Sequence, residues 1–192
     1  MVESKFTLEE QMMARAISNA TKARPRCMPN PWVGAVLVSS DGQTFDGFTQ
    51  EFGSGHAETV CLDEAGRKAQ GATLYVTLEP CSHSGKTGPC VERIIESRIS
   101  RVVIGMKDPD RQVCGEGIKS LQSAGVDVVV GVLEDLVAEQ LAPYVHHRNT
   151  GRPYVILKIA TTLDGKVAAP DGSSQWITAV SYTHLRAHET VV

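Results

Sequence analysis

Long hydrophobic runs are absent from this sequence, and their absence excludes a membrane-spanning helix. The longest apolar run, 32–38, holds seven of the 192 residues, whereas a helix that crosses a bilayer needs about 20. Residues 1–5 lead directly into an acidic helix start, without the apolar segment of a secretory signal. We therefore expect a cytoplasmic protein that has no membrane partner.

A basic surplus is also absent, because the formal net charge is −3. Proteins that bind nucleic acid usually present a basic face, so we expect no nucleic-acid partner. Cysteine is scarce and odd in number, at positions 27, 61, 81, 90 and 114. Without a secretory signal, five cysteines favour a reducing compartment in which the thiols bind metal or fill the core.

Hydrophobic periodicity predicts a three-layer α/β/α fold around a mixed five-stranded sheet. Apolar residues recur every four positions from Leu8, behind a capping box of Thr7 and Glu10, so a first helix should end before Pro25. Asp41-Gly42 predicts an antiparallel hairpin. Strands and helices then alternate, which predicts parallel pairing. The predicted strands are 33–38, 44–49, 73–78, 101–105 and 126–131, and the later helices are 56–68, 89–97, 117–124 and 133–147.

The sequence divides near Asn149-Thr150-Gly151, because residues 1–150 already account for a complete three-layer unit. Residues 153–160 are apolar on both faces, which is typical of a buried parallel strand that opens a second unit. Only about 30 residues remain in 151–180, too few for a stable core. Residues 181–192 have no periodicity and no cap, and they resemble sequencing-adapter read-through. We treat them as a non-native tail.

Three short motifs carry chemistry: His56-Ala57-Glu58, Glu79-Pro80-Cys81 and Pro89-Cys90. One imidazole and two thiolates give three protein ligands, the number found in catalytic zinc sites. Glu58 lies about 200° around an ideal helix from His56, so it suits a general acid–base role better than ligation. A structural zinc site or core thiols are the alternatives, and Cys27 and Cys114 are candidates for a fourth ligand.

The H-x-E and P-C motifs are similar to those of the zinc-dependent nucleobase deaminases. Eight residues separate Cys81 from Cys90, where the common motif has two. The run 77–90, with 29–34, 107–109, 157–166 and 174–178, resembles the bifunctional riboflavin-biosynthesis deaminase/reductase family. That resemblance implies a cytidine-deaminase-like fold followed by a truncated fragment of an α/β reductase domain.

The resemblance also implies a reaction and a set of site residues. The family's deaminase converts 2,5-diamino-6-ribosylamino-4(3H)-pyrimidinone 5′-phosphate to 5-amino-6-ribosylaminouracil 5′-phosphate and ammonia, and the reductase half then uses NADPH. We expect one Zn²⁺ per chain, a homo-oligomer, and no reductase activity from so short a fragment. The implied roles are zinc ligands (His56, Cys81, Cys90), proton transfer (Glu58), deaminase substrate contacts (Asn30, His83, Lys86, Thr87), and reductase positions near substrate (Ser174) or NADP (Ala160, Trp176).

Other interpretations remain open from the sequence. The chain could deaminate another base, such as cytosine, guanine or a tRNA adenosine, or be a non-catalytic zinc-fold binding module. Lys86 could be a solvated loop charge, and Asn30 could only shape its Pro-Asn-Pro turn. Thr49 stands where the family often has histidine, which puts one substrate contact in doubt.

Overall fold

The computed structural model describes residues 6–24, 26–83, 88–110, 113–157, 159, 161–168 and 170–173. The chain divides into two compact units, Met1–Tyr154 and Val155–Val192. The elements of the first unit, in chain order, are α1 (Leu8–Ala23), β1 (Gly34–Val38), β2 (Thr44–Phe48), α2 (Ala57–Ala65), a 3₁₀ turn (Gly66–Ala69), β3 (Thr73–Leu78), α3 (Cys90–Glu96), β4 (Arg101–Met106), α4 (Glu116–Ser123), β5 (Asp127–Val130), α5 (Glu134–Gln140) and α6 (Ala142–Thr150).

The five strands form one sheet in the order β2-β1-β3-β4-β5. β1 pairs antiparallel with both β2 and β3, while β3–β4 and β4–β5 are parallel. The predicted mixed sheet, with an antiparallel start and a parallel second half, is confirmed. Parallel pairing follows because α3 and α4 cross over between successive strands.

Helices cover both faces of the sheet, with α1 and α5 on one side and α2, α3 and α4 on the other. α1 begins with the predicted capping box, in which Glu10 N donates to Thr7 Oγ1 and Thr7 N donates to the Glu10 carboxylate. It lies directly on β1, since a Cβ on Gly34 would stand 1.9 Å from the carbonyl oxygen of Ala16. Because successive side chains of a strand point to opposite faces, and helices cover both faces, alternate residues of β3 and β4 fill two separate apolar layers.

The single helix predicted for 133–147 is wrong, because the chain forms α5 and α6 with a break at Leu141. Pro143 explains the break. Proline has no backbone N–H to continue the helix, and its ring would clash with the carbonyl four residues earlier. The apolar periodicity continues across the break, so periodicity alone does not reveal it.

The strand predicted for 153–160 is also wrong in the part that the structure describes. Residues 153–157 and 159 have no regular secondary structure. Val155, Ile156 and Leu157 are 82%, 71% and 79% exposed. A strand forms only where a neighbouring strand completes its hydrogen bonds, and the described residues after Gly151 supply none. Within the second unit, a turn is closed by hydrogen bonds between Thr162 and Lys166.

Candidate active site

Loops at one end of the sheet enclose a cavity of about 260 Å³. At this end β3 and β4 finish, at Leu78 and Met106, and the antiparallel β1 begins at Gly34. The loops before β1, after β2, after β3 and after β4 therefore meet there. The cavity is lined by Asn30, Pro31, Val33, Thr49, His56, Glu58, Leu78, Glu79, Cys81, His83, Asp108, Asp110, Val113, Tyr144 and Arg148.

Three metal-ligating side chains meet beside this cavity. His56 is the N-cap residue of α2, Cys81 follows β3, and Cys90 is the first residue of α3. The Nδ1 atom of His56 lies 3.1 Å from Cys90 Sγ and 3.6 Å from Cys81 Sγ. All three ligand atoms lie within 4.8 Å of one another. One imidazole nitrogen and two sulfurs, gathered this closely, fit the donor set of a catalytic zinc site.

The other cysteines stand apart from this cluster. Among the described residues, no fourth His, Cys, Asp or Glu joins it. Cys27 is buried, and its thiol donates to the carbonyl oxygen of Asn30 over 3.3 Å, while Cys61 is buried and donates to Phe45. Cys114 is exposed. The arrangement therefore favours three protein ligands over a closed structural site, which would use four.

The two sulfurs of the cluster differ in their electrostatics. Hydrogen bonds from the Cys90 thiol and from His56 lower the pKa of Cys81 to about 4, against the opposing effect of burial. The backbone N–H of Cys90 also donates to Cys81 Sγ over 3.4 Å. Because Cys90 donates its proton to Cys81 and is buried, its own pKa is raised. These hydrogen bonds favour the thiolate of Cys81, the form in which cysteine binds metal.

Glu58 lies in the first turn of α2 and lines the same cavity, with only 4% of its surface exposed. Burial raises the pKa of its carboxyl group, and the nearby His56 partly offsets this effect. A raised pKa makes a carboxylate a stronger base, which favours general acid–base catalysis. Glu58 is outside the three-residue ligand cluster, so it is placed for proton transfer rather than for ligation.

Two of the four predicted substrate contacts, Asn30 and His83, line the cavity. The backbone N–H of Asn30 donates to the carbonyl of Cys27 over 2.9 Å, so the Asn30 side chain is presented by a closed turn. The other two, Lys86 and Thr87, lie outside the described residues, as do the reductase positions Ala160, Ser174 and Trp176. All of these roles stay predictions.

Thr49 has a defined place although it is not the expected histidine. Its hydroxyl accepts from the backbone N–H of Val33 over 3.1 Å, and its backbone N–H donates to the Val33 carbonyl over 3.0 Å. It is 3% exposed and lines the cavity. Thr49 thus joins the loop before β1 to the end of β2.

Glu79 is a buried carboxylate that sequence reasoning placed in a motif but gave no role. Its two oxygens accept four backbone N–H groups: Oε2 from Asp108 and Gly115, and Oε1 from Gly117 and Ile118. These distances run from 3.0 to 3.3 Å. The carboxylate therefore ties the end of β3 to the loop after β4 and to the start of α4. Its place directly before Pro80-Cys81 was the signal available in the sequence.

The cavity wall contributed by α6 was not predicted. The Tyr144 hydroxyl donates to both carboxylate oxygens of Asp108, at 2.9 and 3.2 Å. Arg148 Nε pairs with Asp110 Oδ2 at 3.3 Å, and its guanidinium lies 5.2 Å from the Tyr144 ring centroid. Burial raises the pKa of Asp108. The i,i+4 spacing of Tyr144 and Arg148 was the available signal, since it puts them on one helix face.

Comparison with protein families identifies both parts of the chain. Residues 7–106 match the cytidine and deoxycytidylate deaminase zinc-binding region, and residues 153–191 match the RibD C-terminal domain. The riboflavin biosynthesis protein RibD of Aquifex aeolicus is 45% identical over 172 residues, which is 90% of this chain and 48% of that protein. The Escherichia coli RibD is 44% identical over 89% of this chain and 47% of its own length. The chain thus spans about half the length of these relatives.

Solved structures of RibD-type proteins are also similar to this chain. Acinetobacter baumannii RibD superposes with a TM-score of 0.84 at 41% identity, covering 91% of this chain and 49% of that one. A diaminohydroxyphosphoribosylaminopyrimidine deaminase/5-amino-6-(5-phosphoribosylamino)uracil reductase from Thermotoga maritima gives a TM-score of 0.86 at 43% identity, covering 93% and 52%. In the described residues, no helix is long and apolar enough to cross a membrane. With its His-Cys-Cys cluster and mixed sheet, the chain belongs to the cytidine and deoxycytidylate deaminase zinc-binding family.

Proposed function

We propose that the first unit is a zinc-dependent deaminase of riboflavin biosynthesis. It would hydrolyse the 2-amino group of 2,5-diamino-6-ribosylamino-4(3H)-pyrimidinone 5′-phosphate and release ammonia. The observation that carries this proposal is that the His56/Cys81/Cys90 cluster lies beside the cavity that the buried Glu58 also lines. The similarity to RibD proteins over about 90% of this chain supports the choice of substrate.

His56, Cys81 and Cys90 would hold the zinc. Their donor atoms are the types that zinc prefers, and their number leaves one tetrahedral position for a non-protein ligand. When bound, zinc acts as a Lewis acid that makes water a nucleophile near neutral pH. The hydrogen bonds from Cys90 and His56 lower the pKa of Cys81, which favours the thiolate that binds metal.

The chain's own residues then orient the substrate and move protons. The Glu58 carboxyl accepts a proton at its oxygen and donates it to the departing amino nitrogen, which must leave as neutral ammonia. The Asn30 amide offers one acceptor and two donors to the edge of a pyrimidine. Apolar neighbours such as Leu78 and Val33 help to exclude water from the cavity, which strengthens these contacts.

The second unit is assigned from the family match and from the sequence. We propose that residues 1–150 form the deaminase domain and that 151–180 are the beginning of an NADPH-dependent reductase domain, without reductase activity in this chain. The RibD C-terminal domain match over 153–191 supports this assignment. Residues 181–192 stay a proposed non-native tail that lies outside the described residues. The domain match overlaps most of that tail.

We also propose a cytoplasmic homo-oligomer that binds no nucleic acid. The five cysteines are free thiols, which suits a reducing compartment. The cavity lining contains four carboxylate side chains, Glu58, Glu79, Asp108 and Asp110, which would repel a polyanion. A sedimentation measurement would give the oligomeric state.

Ammonia release tests the proposed function directly. Zinc-loaded protein is assayed with the diaminopyrimidine phosphate and, in parallel, with cytidine, guanine and a tRNA. We expect turnover of the first compound alone. Turnover of another base would identify a different deaminase, and zinc binding without any turnover would identify a non-catalytic zinc module.

A further inference from the structure

The charged groups around the cavity are strongly unequal in sign. Four carboxylate side chains line it, while Arg148 is the one lysine or arginine in the lining among the described residues. The proposed substrate carries a phosphate dianion. A dianion next to several carboxylates is repelled unless a cation compensates, and the repulsion is strongest in a partly desolvated cavity.

Arg148 is in a more exposed part of the cavity lining than two of the carboxylates. Its side chain is 39% exposed, whereas Glu58 and Glu79 are only 4% and 3% exposed. The reacting end of the pyrimidine has to reach the buried Glu58 beside the His56/Cys81/Cys90 cluster. The phosphate lies at the far end of the ribose from the reacting carbon, which suits a contact with the more exposed guanidinium.

The guanidinium is held in place before any ligand binds. Arg148 Nε pairs with Asp110 at 3.3 Å, and the guanidinium lies over the Tyr144 ring, whose hydroxyl is itself bonded to Asp108. The ion pair uses Nε, and the two terminal nitrogens of a guanidinium form a fork that matches two phosphate oxygens. Ordering the side chain in advance reduces the entropy that binding would otherwise cost.

We infer that Arg148 is a specificity-determining residue that binds the 5′-phosphate of the substrate. This inference rests on the proposed function and adds a residue from α6 to it. Asp110 and Tyr144 act as positioning residues, because they orient the guanidinium. The contact distinguishes the nucleotide from the corresponding nucleoside, and it lies away from the reacting amino group. It should therefore affect KM rather than kcat.

The experiment compares two substrates and three variants. The substrates are the diaminopyrimidine ribonucleoside with and without its 5′-phosphate. Arg148→Met keeps the length of the side chain and removes its charge, and Arg148→Lys restores the charge without the fork. Arg101→Met is the matched control, since Arg101 is 37% exposed and ion-paired, at the opposite end of β4.

For Arg148→Met we expect KM for the phosphorylated substrate to rise about 10- to 100-fold, the usual effect of losing a charge-assisted hydrogen bond. Its kcat, and both constants for the nucleoside, should change less than about twofold, and Arg148→Lys should be intermediate. The control should match the wild type. An equal change for both substrates, or no change for either, would overturn the inference.

A binding measurement separates this inference from the proposed function. Inorganic phosphate is titrated calorimetrically into zinc-loaded wild-type protein, Arg148→Met and Arg101→Met. Weaker phosphate binding in Arg148→Met alone supports the inference even if the wild type deaminates neither compound. Equal binding in all three proteins contradicts it. Failure of the wild type to release ammonia counts only against the proposed function.

Discussion

The two walls of the cavity are built in opposite ways. The wall that carries the candidate zinc ligands comes from short motifs at His56, Cys81 and Cys90, where residue type is dictated by metal chemistry. The wall that carries Asp108, Tyr144 and Arg148 comes from single residues on a loop and on α6, each held by side-chain contacts. Metal binding on the first wall tolerates few residue types, whereas many residue types can make the substrate contacts on the second wall.

The largest effect is expected on the metal wall. Replacing Cys90 with alanine leaves two ligands and removes the partner that lowers the pKa of Cys81. We expect zinc content to fall from about one per chain to near zero and deamination to be lost, with a lower unfolding temperature. Metal analysis and ammonia assays measure these changes. Cys61→Ala, which alters a buried thiol outside the cluster, is the control and should retain zinc.

Glu58→Gln should have the next largest effect. The substitution keeps the shape of the side chain but removes its capacity to carry a proton. Positioned acid–base groups contribute about 10²- to 10⁴-fold in rate, so kcat should fall by that factor. Zinc content should stay at the wild-type level, because Glu58 is not among the ligating residues. Loss of zinc in Glu58→Gln would show that Glu58 contributes to zinc binding as well as to proton transfer.

Glu79→Gln tests the connection between the walls. The glutamine amide has one oxygen, so its NH₂ group would face two backbone N–H donors that the carboxylate now accepts. Leaving buried groups unpaired costs about 1–3 kcal/mol each. We expect a loss of stability of that order and about a tenfold rise in KM. Faster hydrogen exchange at Gly115 and Gly117 would locate the change.

A Val36→Ala variant provides the comparison for Glu79→Gln. Val36 is buried in the apolar layer on the α1 face of the sheet and is not one of the residues that line the cavity. It should lose a similar amount of stability while keeping its KM. Equal KM changes in both variants would mean that Glu79 acts through stability alone.

Tyr144→Phe should have a small effect on the α6 wall. The variant keeps the ring under Arg148 and removes the hydrogen bonds to Asp108. These hydrogen bonds lower the pKa of Asp108, so their loss should raise it further. We expect about 1 kcal/mol less stability and a change in KM of about two- to fivefold. A larger change in KM than that of Arg148→Met would indicate that the main substrate contact of this wall is Asp108.

Removing the second unit should have the smallest effect. A chain that ends after Tyr154 retains α6, its cap at Gly151 and the edge contact between His146 and Tyr154. We expect unchanged deamination and better solubility, because the exposed apolar residues Val155 to Leu157 are removed. NADPH oxidation by the intact chain, with the deaminated product as substrate, should stay at background. NADPH oxidation above background would contradict the proposal that residues after 150 carry no reductase activity in this chain.

The sequence predicts most of the fold because its periodicities are strong and its turns are chemically explicit. The capping box at Thr7 and the Asp41-Gly42 turn specify local geometry, and the structure confirms both. The break at Leu141 was missed because the apolar pattern continues across it. The strand predicted after Gly151 does not form in the described residues, because a strand depends on neighbours that its own sequence does not contain.

In the candidate site too, the features that depend on tertiary structure could not be predicted from the sequence. His56, Cys81 and Cys90 could be selected from the sequence because a metal needs those side chains at matching positions. Glu79, Tyr144 and Arg148 are ordinary residue types whose contacts depend on tertiary structure. Glu79 bonds only to backbone groups, and Arg148 lines the cavity from a helix that begins after the break at Leu141. Neither fact can be read from spacing along the chain.

The four backbone contacts of Glu79 have a consequence for how such enzymes can diverge. A carboxylate that holds main-chain amides makes no demand on the side chains of the loop, so that loop can change its sequence, and with it the ligands it selects, while its attachment is preserved. Two positions do not share this freedom. Gly115 adopts a φ of +91°, which other residues rarely take, and a Cβ on Gly117 would stand 2.2 Å from the carbonyl oxygen of Pro80. The loop can therefore vary in sequence only around two glycines that its backbone requires.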